Sequence, residues 1–260
     1  MKSIHLSNQR KIFFGITLFL SLFLMHGCAG DENTADGSTG MGGIAFKIRW
    51  PDVNLEEKSS VANRTLTENN CLYGTIRTVV FAIYDKDKNL LVDLEDATFN
   101  CSDGEGIVDQ VPTGSGIRLV VLANGYNPLT IKEEPFLRGE YGEEITVEAD
   151  KTTELGTIEA YDFVPNLTDP FQSDRLENDE LSFEWTNVAG ALTYRIKFTR
   201  MSPPGAVPIE FNTSGVSISL DSPDADFFVE DGLYTWSVAA IDAYGNYGAD
   251  SAARYFTYID

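Results

Sequence analysis

The chain has 260 residues, with 40 acidic against 19 basic side chains and a formal net charge of −21. That field argues against nucleic acid as a partner, because a phosphate backbone is held by counterion release to Lys and Arg, and it repels anionic lipid headgroups equally. His5 and His26 are the whole imidazole supply, so where they fall decides how much acid–base and metal chemistry is open.

Lys2, Arg10 and Lys11 precede an apolar stretch from Ile12 to Met25, which stops at His26-Gly27-Cys28. A basic n-region, an apolar h-region and a small residue before the cut mark a secretory signal. Such a stretch covers roughly 21 Å as a helix against about 30 Å of bilayer hydrocarbon, so a cleaved segment fits better than a permanent span. Cys28 after Gly27 resembles the lipobox of bacterial lipoproteins, although Met25 and His26 stand where that pattern prefers Leu and Ala or Ser. The resemblance implies a signal peptide over residues 1–27, diacylglycerol on Cys28, and attachment to the bacterial cell envelope at the outer membrane, with either leaflet open. Ordinary signal-peptide cleavage is the alternative. A cut at this place removes both histidines, and with them histidine-based triads, general bases and zinc sites.

Residues 28–43 read as the lipidated cysteine and a flexible tether. Gly, Asp, Ser and Thr dominate, Met41 is the one large apolar side chain, and the Gly-rich statistics give a reach of about 20 Å. Two further cysteines, Cys71 and Cys101, form an even pair in an exported chain and are expected to be disulfide-bonded, which in the chain-entropy model stabilises by roughly 3–4 kcal/mol. A nucleophilic thiol is the rival reading, and it lacks a histidine to activate it.

From residue 44 the pattern turns to period two. Ile44, Phe46, Ile48 and Trp50 alternate with Ala45, Lys47 and Arg49, which predicts a strand with one buried face. Strands are predicted over 75–84 and 90–94, joined as a hairpin by Asp85-Lys86-Asp87-Lys88-Asn89, then over 107–111, 117–123, 145–149 and 155–160. No amphipathic helix of useful length separates them, so residues 44–161 are expected to form a β-sandwich. The order Gly106-Ile107-Val108, Val111-Pro112-Thr113-Gly114, Ile117 to Ala123 and Thr152-Thr153-Glu154-Leu155 resembles the prealbumin-like or carboxypeptidase-regulatory-like modules of bacterial surface proteins.

A polar stretch from Phe163 to Glu180 marks a boundary, and a second module, 162–260, carries alternating strands behind it. Phe183-Glu184-Trp185, Gly190-Ala191, Tyr194-Arg195-Ile196, Gly232-Leu233-Tyr234-Thr235-Trp236, Ala240-Ile241-Asp242 and Gly245-Asn246-Tyr247-Gly248 together resemble a fibronectin type III domain. The resemblance implies that Trp185 sits between two sheets and that the Tyr234 hydroxyl caps a corner. The fold class expected for the whole chain is therefore all-β, two tandem β-sandwich domains after a signal peptide and tether.

Candidate sites are sparse. Asp85, Asp87 and Asn89 have the oxygen spacing with which a calcium loop begins, but the following Gly is missing and Asp96 stands where a distal Glu belongs. A turn built on Asx side chains explains the same residues without metal. Tyr244 and Tyr247 lie at a predicted turn and are the candidates for stacking on a sugar or a protein partner, with hairpin anchoring as the competing role. No catalytic residue and no cofactor is assigned. The expectation is a non-catalytic, lipid-anchored envelope protein presenting β-sandwich interaction modules. Its alternatives are a carbohydrate-binding or adhesion accessory of a surface polysaccharide system, and a hydrolase working through carboxylates alone.

Overall fold

The computed structural model describes residues 40–50, 76–101, 105–127, 131–177, 181–220, 227–229 and 231–259. The chain is all-β, with no helix among the described residues.

The first module is built from β1 (Met41–Arg49), β2 (Ile76–Tyr84), β3 (Thr98–Asn100), β4 (Glu105–Pro112), β5 (Gly114–Asn127), β6 (Lys132–Glu140), β7 (Ile145–Val147) and β8 (Thr152–Asp162). Seven of them follow one another in the order β3-β2-β5-β6-β8-β1-β4, and β7 adds to the start of β5. The sheet wraps one core, with β5 pairing β2, β6 and β7 and β8 switching partner along its length. β8 runs parallel to β1 over Thr152–Glu159 and then antiparallel to β6 over Ala160–Asp162. Period-two side chains fill the enclosed space: Ile44 and Phe46 from β1, Val79, Phe81 and Ile83 from β2, Leu119 and Val121 from β5, Ile158 from β8. Phe46 and Phe81 stack at 3.7 Å, with Phe99 edge-on to both.

The predicted hairpin over 75–94 is not the one that forms. Residues 90–94 contribute a single bridge, Tyr84 to Leu90, and the true partners of β2 are β5 and β3. Leu90 and Leu94 stay more than 40% exposed while the adjacent Leu91 and Val92 pack against the core, so the stretch lacks the period-two alternation of a paired strand.

The second module comprises β9 (Leu167–Asp169), β10 (Asp174–Leu176), β11 (Ser182–Trp185), β12 (Ala191–Ser202), β13 (Ile209–Thr213), β14 (Ser217–Ser219), β15 (Gly232–Asp242) and β16 (Arg254–Tyr258). A three-stranded sheet, β14-β11-β9, faces a five-stranded one, β10-β16-β15-β12-β13. Between them Trp185 is 3% exposed, and Phe183 meets Phe198, Trp236 and Phe256 edge-on at 4.7–5.3 Å. The Tyr234 hydroxyl donates to the Phe227 carbonyl at 2.8 Å and accepts from the Val229 N–H at 2.7 Å, which ties the incoming loop to β15. Tyr194 does the same at the other pole, accepting from the Val188 N–H and donating to Asn187 Oδ1. The polar stretch expected as a boundary supplies Phe163, Leu167 and Leu176 to this core.

Candidate functional site

β2 and β5 are apolar on both faces. Val80, Ala82 and Tyr84 alternate with the core residues of β2, Val120 and Leu122 with those of β5, and all five are buried. An antiparallel sheet with one solvated face does not need such a run, so something must cover it. The cover is the second module: Tyr244 packs against this cluster, its ring stacked on Tyr84 with centroids 4.4 Å apart.

The junction is organised by one buried ion pair. On β6, Leu122 of β5 and Tyr161 of β8 flank Arg138, placing its side chain on the same outer face. Its Nε donates to Asp242 Oδ2 at 2.9 Å and its Nη2 to Glu140 Oε2 at 2.6 Å. The Arg138 side chain is 6% exposed and that of Asp242 is not exposed at all. Burial pulls the Arg138 pKa down, but the hydrogen bonds to Glu140 and Asp242 more than offset this and hold it above its ordinary value. The 187–190 turn closes over the guanidinium: Gly190 has φ +79°, and a Cβ there would stand 2.5 Å from Arg138 Nη1. Further contacts bracket the pair. The Tyr84 hydroxyl donates to Asn246 Oδ1 at 3.0 Å, that of Tyr244 donates to Glu140 Oε1 at 3.2 Å, and the Ala249 N–H donates to the Pro135 carbonyl at 2.7 Å. Burial is the main cause that raises the Tyr84 and Tyr244 pKa values above that of a free phenol.

Two loops of one design meet here. In the 85–89 loop, Asp85 Oδ1 accepts the Asp87 and Asn89 N–H groups, and its Oδ2 accepts the Asn89 amide. In the 242–246 loop, Asp242 Oδ1 accepts the Tyr244 and Asn246 N–H groups, and its Oδ2 accepts the Asn246 amide. The fourth residue is left-handed in both, Lys88 at φ 66° and Gly245 at φ 84°, and a bridge follows in both, Tyr84–Leu90 and Ile241–Tyr247. Lys88 Nζ reaches across to the Ala243 carbonyl at 3.0 Å and lies 5.8 Å from the Tyr244 ring centre.

These contacts place the residues singled out from sequence. Asp85 and Asn89, candidates for calcium, are bonded to each other and to their own backbone, and the Asn89 amide is the leading cause that lowers the Asp85 pKa. Among the described residues no three His, Cys, Asp or Glu side chains converge as a metal site. Tyr244 has one ring face against Tyr84. Tyr247 is 47% exposed and carries the Arg195 guanidinium 5.0 Å from its ring centre, with Arg195 also paired to Asp250. Cys101 is buried and disulfide-bonded, whereas Cys28 and Cys71 lie outside the described residues. A shallow cavity of about 240 Å³ between the start of β1 and residues 109–110 and 150–152 has Asp109 and Asp150 in its lining. Sequence reasoning passed over Arg138, Glu140, Tyr84 and Lys88. The signals for them were the two-faced apolar runs of β2 and β5 and the repeated Asp-x-x-x-Asn spacing.

No family model and no curated protein matches the chain. Among solved structures it is similar to that of the chicken CNTN1 FN1-FN3 domains, at 15% identity and a TM-score of 0.32. The match covers 72% of this chain and 58% of that one, a little over half of its length.

Proposed function

We propose that this chain is a non-catalytic, lipid-anchored cell-envelope protein that presents two β-sandwich modules, locked as one body, to a protein partner. The observation that carries the reading is the junction. The 187–190 turn and the 242–249 loop at one pole of the second module seat on the first, through a buried ion pair and stacked tyrosines. Connections between modules that resemble transient interfaces allow hinge motion, whereas buried, hydrogen-bonded ones hold an orientation. A fixed orientation suits display. β1 starts beside the start of β8, and β8 then runs its eleven residues, roughly 36 Å, to the junction. β12 leaves the junction at Ala191 and ends at a proline-rich loop, residues 203–208, where Val207 is 81% exposed. The body thus holds this loop far from the start of β1.

The anchor on Cys28 and the outer-membrane location rest on the lipobox resemblance of the leader. The carbohydrate-binding alternative needs a coplanar, exposed aromatic pair, and the stacking of Tyr244 on Tyr84 removes one of the two rings it would use. Two measurements test the proposal. Mass spectrometry of the N-terminal peptide from envelope fractions is expected to find acylated Cys28; a free thiol there removes the anchor. A pull-down from envelope extracts with the mature chain is expected to recover a protein that added glycans do not displace; displacement by glycan would favour the sugar reading instead.

A further inference from the structure

The two Asp-x-x-x-Asn loops differ at one place that matters. Their fourth residue must adopt a left-handed backbone, which glycine does without strain and a residue with a Cβ does at a cost. The 242–246 loop has Gly245 there, and the 85–89 loop has Lys88. Inside the 85–89 loop Lys88 contributes only its backbone N–H, donated to the Asp85 carbonyl, while Asp85 and Asn89 close the turn and the Lys88 side chain is turned outward. Its Nζ instead donates to the Ala243 carbonyl of the opposite loop and lies over the Tyr244 ring, the same ring that stacks on Tyr84.

We infer that Lys88 is a positioning residue which accepts an unfavourable backbone conformation in order to lock the second module against the first. Three features of the structure converge on it. The loop strain has no local return, the matching loop shows what an unstrained solution looks like, and both Lys88 contacts cross the junction. A cation held between a carbonyl oxygen and an aromatic face also fixes the rotation of the 242–246 loop, because the two acceptors lie on neighbouring residues of one turn. The inference rests on the reading of the two modules as a single displayed body, and it names the side chain that keeps them so.

Amide hydrogen exchange on the full mature chain tests it, since the Ala249 N–H donates across the junction to Pro135 while the Asp87 and Asn89 N–H groups report the loop itself. In Lys88→Gly the loop amides should keep or gain protection, and the Ala249 amide should exchange about fivefold faster. Lys88→Ala keeps the left-handed penalty and loses the contact, so both sets should exchange faster. Lys88→Arg restores the cation and should return Ala249 close to the parent rate. If Lys88→Gly leaves Ala249 unchanged or better protected, the lysine is a loop residue only and the inference falls. That outcome is independent of partner capture: a parent chain that captures nothing removes the proposed function while leaving the exchange result standing.

Discussion

Asp242 holds two jobs on one carboxylate. Oδ1 caps its own loop, and Oδ2 receives Arg138 from the other module. Removing Arg138 would leave that carboxylate buried with its loop contacts alone, and an orphaned buried charge is the expensive half of a broken ion pair. Arg138→Met is therefore expected to lower the unfolding free energy by about 3–5 kcal/mol, read from urea midpoints at constant m-value. A loss under about 1 kcal/mol, as for an exposed pair, would contradict the burial of the pair. The junction tyrosines give the pH dependence. Both pKa values are raised in the folded chain, so the native state holds these protons more tightly than the unfolded one. Their contribution is complete below the unfolded phenol value of about 10 and is lost as pH climbs from there through the folded values. Unfolding followed between pH 8 and 12 should show stability declining above about pH 10, in step with tyrosinate absorbance, and less so in the Tyr84→Phe variant.

At the scale of elements, strand existence was legible wherever one face was buried and the other wet. β11 alternates throughout, β15 over residues 232–238 and β1 over residues 46–49, and the second-strand tryptophan and corner tyrosine fall where the fibronectin-like pattern puts them. β6 was not legible. Its sequence, Lys132-Glu133-Glu134-Pro135-Phe136-Leu137-Arg138-Gly139-Glu140, looks like a charged loop, because the face that should read as apolar is covered by another module and satisfied by ion pairing instead. β9 and β10 have three residues each, too few for a period to register, whereas the alternation of Val216, Ile218 and Leu220 marks β14. The false hairpin at 85–94 has the opposite cause: a correct turn, Asp85 to Asn89, was joined to a following segment whose core contacts, Leu91 and Val92, are adjacent rather than alternating. The candidate site was half visible. Asp85, Asn89 and Tyr244 were picked out for metal and ligand chemistry; Asp85 and Asn89 bond within their own loop, and Tyr244 stacks on the neighbouring module. One glycine tests how tightly these elements fit. Gly190→Ala would combine left-handed strain with a side chain 2.5 Å from Arg138 Nη1, so a loss of about 1–3 kcal/mol is expected from thermal or urea unfolding. A neutral result would mean that the 187–190 turn does not close over the guanidinium.

For the whole molecule, the decisive quantity is whether two hydrophobic cores behave as two cooperative units or one. Each module has its own core, which on its own would predict two transitions. Against this stands the third cluster, Val80, Ala82, Tyr84, Val120 and Leu122, which belongs to the first module by chain and has Tyr244 of the second packed on it. Unfolding the second module would bare that face to water and isolate Arg138 from Asp242, so the first module would be destabilised in the same event. Calorimetry of residues 28–260 is accordingly expected to give one transition with calorimetric and van't Hoff enthalpies in agreement, and Arg138→Met is expected to move that transition to lower temperature without splitting it. A chain ending at Asp162 should bind a hydrophobic dye such as ANS while retaining β-rich circular dichroism, because its outer β2–β5 face has lost its cover. Two well-separated transitions in the parent chain would mean that the modules are coupled by their linker alone.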